Sequence, residues 1–197
     1  MTITYEIGDN LYVNLTNRCS NSCDFCIRNV KDSFSVDLWL EREPTPSEIL
    51  EDIFKRDLKK YSQLVFCGFG EPLERLEDIL VVAREVKNKT DLKIRVNTNG
   101  QANLIHNRDV TPEFKSLVDG LSISLNARNA EEYDEICHSA YGKEAFLALL
   151  DFTKKAKEYV KDVQLSVVDC MPLSHIEECR KIAESIGVKL RVRSQVK

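Results

Sequence analysis

Six short β-rich runs, at residues 11–16, 64–67, 92–97, 121–125, 163–168 and 188–193, are separated by longer stretches with the apolar spacing of helices. That alternation leaves few folds open. Right-handed crossovers bring successive strands side by side in parallel, giving either an open doubly wound sheet or a (β/α) barrel lacking two of its units. With 197 residues, 43% of them hydrophobic, the chain suffices for a single domain over 1–197 with a sizeable core. Local signals locate several helices. Thr45, Pro46 and Glu48 supply a capping threonine, a first-turn proline and a capping-box glutamate for a helix over 45–54. Ser174 and Glu177 predict the same box for a helix closed by Gly187. Further helices are expected near 74–87, 111–118, 130–137 and 143–159. The last carries Phe146, Leu149, Leu150, Thr153 and Ala156 on one stripe, with Lys154, Lys155, Lys157 and Glu158 turned to water.

In parallel α/β folds ligands gather beyond the carboxyl ends of the strands. The unusual residues of this chain fall there. After the first run come Cys19, Cys23 and Cys26, after the second Gly68-Phe69-Gly70-Glu71-Pro72, after the third Asn97-Thr98-Asn99-Gly100, and after the fourth Asn126, Ala127 and Arg128. Three thiols separated by three and then two residues can wrap one compact metal centre, and thiolates select zinc or iron–sulfur clusters. A trio leaves one metal corner open, and an open corner can bind and activate a ligand. The same trio also fits half of a zinc knuckle completed by a distant His or Cys. Gly68 and Gly70 let backbone approach a neighbour closely, although punctuation of a strand-to-helix turn accounts for them and for Pro72 equally. Asn97, Asn99, Ser124 and Asn126 are short polar groups on or just after strands three and four, and asparagine is depleted within strands. Turn formation explains Asn99 before Gly100, and a ring of hydrogen-bond partners for a ligand is the functional alternative.

Charge and cysteine usage narrow the setting. The net charge of −4 gives no broad electrostatic hold on nucleic acid, while leaving room for a local basic groove. Seven cysteines, an odd number, and no leader-like N-terminus argue for reduced thiols in the cytoplasm rather than a disulfide framework. No apolar stretch reaches the length of a membrane span.

Taken together, these motifs resemble the radical S-adenosylmethionine (SAM) superfamily, over essentially the whole chain. The resemblance rests on the Cys-x3-Cys-x2-Cys loop with Phe25 before its third cysteine, on Gly68-Phe69-Gly70-Glu71-Pro72, similar to the family's Gly-Gly-Glu-Pro turn, and on the six βα units. Asn17-Arg18-Cys19, Cys26-Ile27-Arg28, Leu38-Trp39-Leu40 and Ser122-Ile123-Ser124-Leu125-Asn126-Ala127 further resemble the small TatD-associated radical SAM group. The fold so implied is α/β, a partial (β/α)6 TIM-like barrel with a curved, parallel six-stranded sheet and its cofactor site at the C-terminal strand ends. The resemblance also implies a [4Fe-4S] cluster on Cys19, Cys23 and Cys26, with the fourth iron taking the amino and carboxylate groups of SAM. Reductive cleavage of SAM would then yield a 5′-deoxyadenosyl radical that abstracts hydrogen from a substrate. Phe25, Gly68, Gly70, Glu71, Asn97, Asn99, Ser124, Asn126, Val168 and Arg193 are the SAM contacts implied, with Ser124 and Asn126 at the ribose and Val168 and Arg193 by the adenine. Phe69 departs from the adjacent glycines of the family turn, and a small backbone shift with unchanged function is expected.

The partners implied are an electron donor such as flavodoxin or ferredoxin, and a TatD-type hydrolase. Two other roles fit the same motifs: an activase installing a glycyl radical on a partner protein, and a non-enzymatic zinc- or cluster-bound module. Arg128, Cys137 and Cys170 are weak candidates for catalysis, as an anion partner and as radical-relay thiols respectively. Cys137 and Cys170 lack the tight spacing of a second cluster, and His106, His138 and His175 show no metal spacing. Cys67 and Cys179 read as small buried apolar residues. The connection 27–44, with Phe34 and Trp39, is the candidate substrate-facing segment.

Overall fold

The computed structural model describes residues 1–30 and 36–195. Among them, seven strands form one sheet in chain order: β1 (Thr4–Ile7), β2 (Asn10–Val13), β3 (Gln63–Phe66), β4 (Lys93–Thr98), β5 (Gly120–Ser124), β6 (Asp162–Val168) and β7 (Lys189–Arg193). From β2 to β7 every pair is parallel, matching the six expected runs. The seventh strand, β1, pairs antiparallel with β2. Its turn is the two-residue loop Gly8-Asp9, with Gly8 at φ 59°, a hairpin signal lying just ahead of the first expected run.

Among the described residues six α-helices connect these strands: α1 (Pro46–Phe54), α2 (Leu76–Lys89), α3 (Ala102–Ile105), α4 (Ala130–Cys137), α5 (Glu144–Ala156) and α6 (Leu173–Ile186). The capping box of α1 is complete, with Glu48 N donating to Thr45 Oγ1 at 3.3 Å and Thr45 N to Glu48 Oε2 at 2.8 Å. The box expected at α6 is absent. That helix begins at Leu173 behind Pro172, so Ser174 already lies inside the first turn and caps nothing. The helix expected over 111–118 is a single 3-10 turn, Thr111–Phe114, because the chain leaves helical geometry at Lys115 and Ser116 is left-handed at φ 64°. None of these helices is long and apolar enough to cross a membrane, among the described residues.

Alternation along the strands decides the architecture. Leu11 and Val13, Leu64 and Phe66, Ile94 and Val96, Leu121 and Ile123, and Leu165 and Val167 are all fully or almost fully buried, against the apolar stripes of the helices. Truncating one of them, Phe66→Ala for instance, would cost about 3–5 kcal/mol. The intervening residues face the other way. Tyr12, Arg95, Asn97, Ser122, Ser124, Arg191 and Arg193 line a common cavity on the concave side. Parallel strands covered on both faces read as unbroken apolar runs. These strands alternate because only one face is covered by helices, and the other encloses a polar lumen.

Candidate active site

The cavity, about 340 Å³ in volume, opens at the carboxyl ends of the parallel strands. Cys19, Cys23, Phe25 and Cys26 reach it from the loop after β2, Gly68, Gly70 and Glu71 from the loop after β3, and Asn97 and Asn99 from the end of β4. Ser124 and Asn126 come from the end of β5, Val168 from β6 and Arg193 from β7. All thirteen residues expected from the sequence to bind the cluster or SAM therefore border one space.

The thiol loop is held from several sides. Gln101, completely buried, donates both amide hydrogens, to Asn21 Oδ1 at 2.8 Å and Tyr133 Oη at 2.9 Å. Its carbonyl accepts from Ser20 Oγ at 2.9 Å and Ser139 Oγ at 3.1 Å. Asn21 Nδ2 also donates to Tyr133 Oη at 2.9 Å, and Asn99 Nδ2 to Ser20 Oγ at 2.8 Å. The last carbonyls of α4 complete the anchorage: Cys137 O accepts from Ser22 N at 3.0 Å and Ile136 O from Asp24 N at 3.1 Å. Every polar group of this buried network is partnered, the condition under which such a network rigidifies what it holds.

Burial pushes the Cys19 thiol up to about 12 and raises that of Cys26 as well. Cys23 goes the other way, because a hydrogen bond with the Cys137 thiol favours its thiolate, while Cys137 itself is pushed well up. Ligand thiols must lose their protons to bind metal, so metal capture here releases protons.

The loop after β3 fits against the loop after β2 with almost no clearance. A Cβ on Gly70 would lie 2.4 Å from both Thr16 O and Arg18 O, and one on Gly68 2.0 Å from Asn14 Oδ1. These glycines bring the two loops together; the atoms they make room for belong to the chain itself. Glu71 N donates to Arg18 O at 2.8 Å, adding a direct tie. The Glu71 carboxyl is buried and accepts from Leu73 N at 3.0 Å, Thr98 Oγ1 at 2.7 Å and Asn99 N at 2.6 Å. Its role is thus to brace β3 to β4, with both oxygens occupied by the chain's own donors. Burial raises its pKa to about 7 against the pull of those three donors. Phe69 borders the cavity and packs in a small cluster with Tyr5 and Leu38, and Trp39, half exposed, meets it edge-on with ring centroids 5.2 Å apart. Phe34 lies outside the described residues.

Several polar atoms at the cavity have no partner in the chain. Asn97 Oδ1, Asn126 Oδ1, Arg95 Nε and Arg193 Nε are buried without a hydrogen bond. Buried polar groups are seldom left so, and four around one space fit a polar ligand. Among the described residues no three His, Cys, Asp or Glu side chains converge tightly enough for a single metal ion. The donor set of three thiols bordering one cavity suits a polynuclear centre, in which each thiolate takes its own iron.

The weak catalytic candidates are elsewhere. Arg128 pairs with Glu132 and Glu178 at 3.4 Å each, away from the cavity. Cys170 is exposed in the turn after β6. Cys137 is wholly buried, lines no part of the cavity and hydrogen-bonds with Cys23. Cys179 is buried on α6 as expected, whereas Cys67 follows β3 and borders the cavity. The reading from sequence passed over Gln101, Tyr133, Tyr12, Arg95 and Arg191. For the last two a signal existed: Arg95 and Asn97, like Arg191 and Arg193, are polar at every second position of strands meant to be buried.

A family model described as the radical SAM superfamily matches residues 13–186. A probable dual-specificity RNA methyltransferase RlmN of Caldanaerobacter subterraneus subsp. tengcongensis is 23% identical over 243 aligned positions, covering 100% of this chain and 68% of that protein. A probable GTP 3′,8-cyclase of Thermococcus kodakarensis is 28% identical over 159, covering 80% of this chain and 47% of its own length. Among solved structures, a radical SAM methyltransferase from Sphaerobacter thermophilus superposes with a TM-score of 0.70 at 17% identity, over 97% of this chain and 57% of the other. The protein anSMEcpe with bound AdoMet superposes with a TM-score of 0.65 at 16% identity, over 94% of this chain and 51% of its own. The chain thus spans about half to two thirds of the length of these proteins.

Proposed function

Because the chain belongs to the radical SAM superfamily, whose cofactors are a [4Fe-4S] cluster and SAM, we propose that its cavity is the site where SAM is reductively cleaved for hydrogen abstraction from a substrate. Cys19, Cys23 and Cys26 would hold the cluster through three of its irons. When bound, the cluster and SAM supply the electron and the 5′-deoxyadenosyl radical on which such chemistry depends. The chain supplies position and shelter. The Gln101–Tyr133 network and the carbonyls of α4 fix the thiol loop, and the Cys137 hydrogen bond favours the thiolate of Cys23. Gly68, Gly70 and Glu71 offer backbone groups to the amino end of SAM, Asn97 and Asn99 line its path, and Ser124 and Asn126 face its ribose. Val168 and Arg193 close the adenine end, and Phe25 walls the cluster from water.

The observation carrying this reading is that three partly exposed thiols share one cavity with the buried, unpartnered Asn97 Oδ1, Asn126 Oδ1 and Arg193 Nε. Anaerobically reconstituted protein with dithionite should release 5′-deoxyadenosine, and Cys23→Ala should abolish the release. Zinc in place of iron and sulfide, with intact SAM, would favour the binding-module alternative and sink the proposal. The curated relatives bear names of enzymes acting on RNA and on GTP, so both join the substrate panel. The motifs shared with the TatD-associated group add a TatD-type hydrolase as a partner, tested by co-purification, and flavodoxin or ferredoxin as the reductant. A stable organic radical on a co-purified protein would mark the activase role instead.

A further inference from the structure

The inward faces of β4 and β7 put three arginines into the cavity: Arg95, Arg191 and Arg193. In the sheet register Arg95 stands opposite Gly120, and a Cβ on that glycine would lie 3.6 Å from Arg95 Cγ, so the arginine stem runs over bare backbone. Arg191 and Arg193 stand opposite Ser166 and Val168. The groups share one neighbourhood. Tyr12 is within electrostatic reach of Arg95 and Arg191, Cys67 of Arg95 and Arg193, and Arg193 of Arg191. Elsewhere most arginines meet carboxylates, among them Arg18 with Glu43, Arg42 with Glu48, Arg75 with Asp78 and Arg128 with Glu132, although among the described residues Arg28 and Arg84 do not. Among the described residues none of the three lumenal arginines has a carboxylate partner, and the Nε atoms of Arg95 and Arg193 are buried with no acceptor.

Guanidinium groups stay charged at any physiological pH, so a chain of net charge −4 sets three cations without carboxylate partners along one cavity, Arg95 and Arg193 half-buried and Arg191 exposed at its open edge. Burial of unpaired charge is destabilising unless something supplies the counter-charge. A carboxylate brings one negative charge and engages one guanidinium fork. A phosphate brings up to two charges and enough acceptor oxygens for several forks. Arg95 and Arg191 lie two residues deeper in their strands than Asn97 and Arg193, below the tier assigned to SAM.

We propose that this lower tier is a phosphate site, in which Arg95 and Arg191 together with the Tyr12 hydroxyl hold the phosphate group of the substrate. The inference rests on the upper tier being the SAM site, which makes the remaining lumen the substrate chamber. It is tested by titrating inorganic phosphate into cluster-loaded protein with SAM present, followed by calorimetry. Wild-type protein should bind phosphate, with affinity weaker on the order of tenfold or more in Arg95→Gln and in Arg191→Gln, and partly kept in Arg191→Lys. Acetate should not compete. Thermal melting guards against misfolding: without phosphate both glutamine variants should melt no lower than wild type, since each removes an unpaired charge, and phosphate should stabilise wild type most.

No phosphate binding by wild type, undiminished binding in both variants, or equal competition by acetate overturns the assignment. Release of 5′-deoxyadenosine by the wild-type protein is scored separately. Its absence sinks the SAM reading, whereas its presence without phosphate binding sinks only the lower-tier site. Glycerol 3-phosphate and a short RNA oligonucleotide, compared as competitors, tell a small phosphomonoester from a polynucleotide as the source of the group.

Discussion

Gln101 sits at the centre of the thiol loop's support, with all four hydrogen-bonding positions of its side-chain amide in use. Gln101→Leu keeps most of the volume and strands Asn21, Tyr133, Ser20 and Ser139. A loss on the order of 2 kcal/mol or more follows from leaving such groups unpaired. Denaturant unfolding should register it, and iron and sulfide per chain should fall with it. Glu71 carries a different prediction. Its carboxyl is raised from 4.5 to about 7 by burial, so between those values the folded chain binds a proton that the unfolded chain has lost. Stability should therefore fall as pH rises through that window and level off above it, by about 3 kcal/mol for a shift of this size. Urea midpoints of cluster-free protein from pH 4 to 8 measure the slope, and Glu71→Gln should flatten it. Neither role is written in local sequence: Gln101 follows an Asn-Gly turn and reads as loop, and its partners Asn21 and Tyr133 are 80 and 32 residues away.

Helix α1 was legible because its signals are adjacent: Thr45, Pro46 and Glu48 act within one turn. The same letters at Ser174 and Glu177 form no box, since Pro172 starts α6 two residues earlier than the pattern suggests. Strand β1 was missed although Gly8-Asp9 marks its turn, because a four-residue edge strand has little periodicity to detect. The thiol trio and the loop after β3 were both visible, yet their mutual fit was not. Gly70→Ala would press a methyl to 2.4 Å from two carbonyl oxygens, so the thiol loop must move. Iron content and SAM cleavage should drop sharply while far-ultraviolet circular dichroism stays near wild type. Thr45→Ala is the contrast. It removes the cap of α1 for about 1 kcal/mol and should leave iron content unchanged.

For the whole molecule, the parallel order of β2 to β7 followed from strands alternating with helices. The polar lining of the lumen was also available, in the polar residues at every second strand position, but attention went to the strand ends, where the contiguous motifs lie. Residues brought together from β2, β4 and β7 share no sequence motif, which is why Tyr12, Arg95 and Arg191 escaped notice while the contiguous cysteines did not. Binding at such a lumen couples to the stability of the whole barrel. SAM added to cluster-loaded protein should raise the melting temperature with concentration, the stabilisation reaching about 2.7 kcal/mol at a hundredfold excess over its Kd. Scanning calorimetry with Cys23→Ala as the comparison measures it, and the variant should gain less.

The hydrogen bonds that shape the sulfur-bearing loop reach partners 79, 81 and 112 residues downstream. A chain still emerging from the ribosome consequently has no finished receptor for iron until α4 has docked. A cluster held by these cysteines would then be loaded into a completed fold, and the iron retained after purification would gauge tertiary integrity even for substitutions made far from any cysteine.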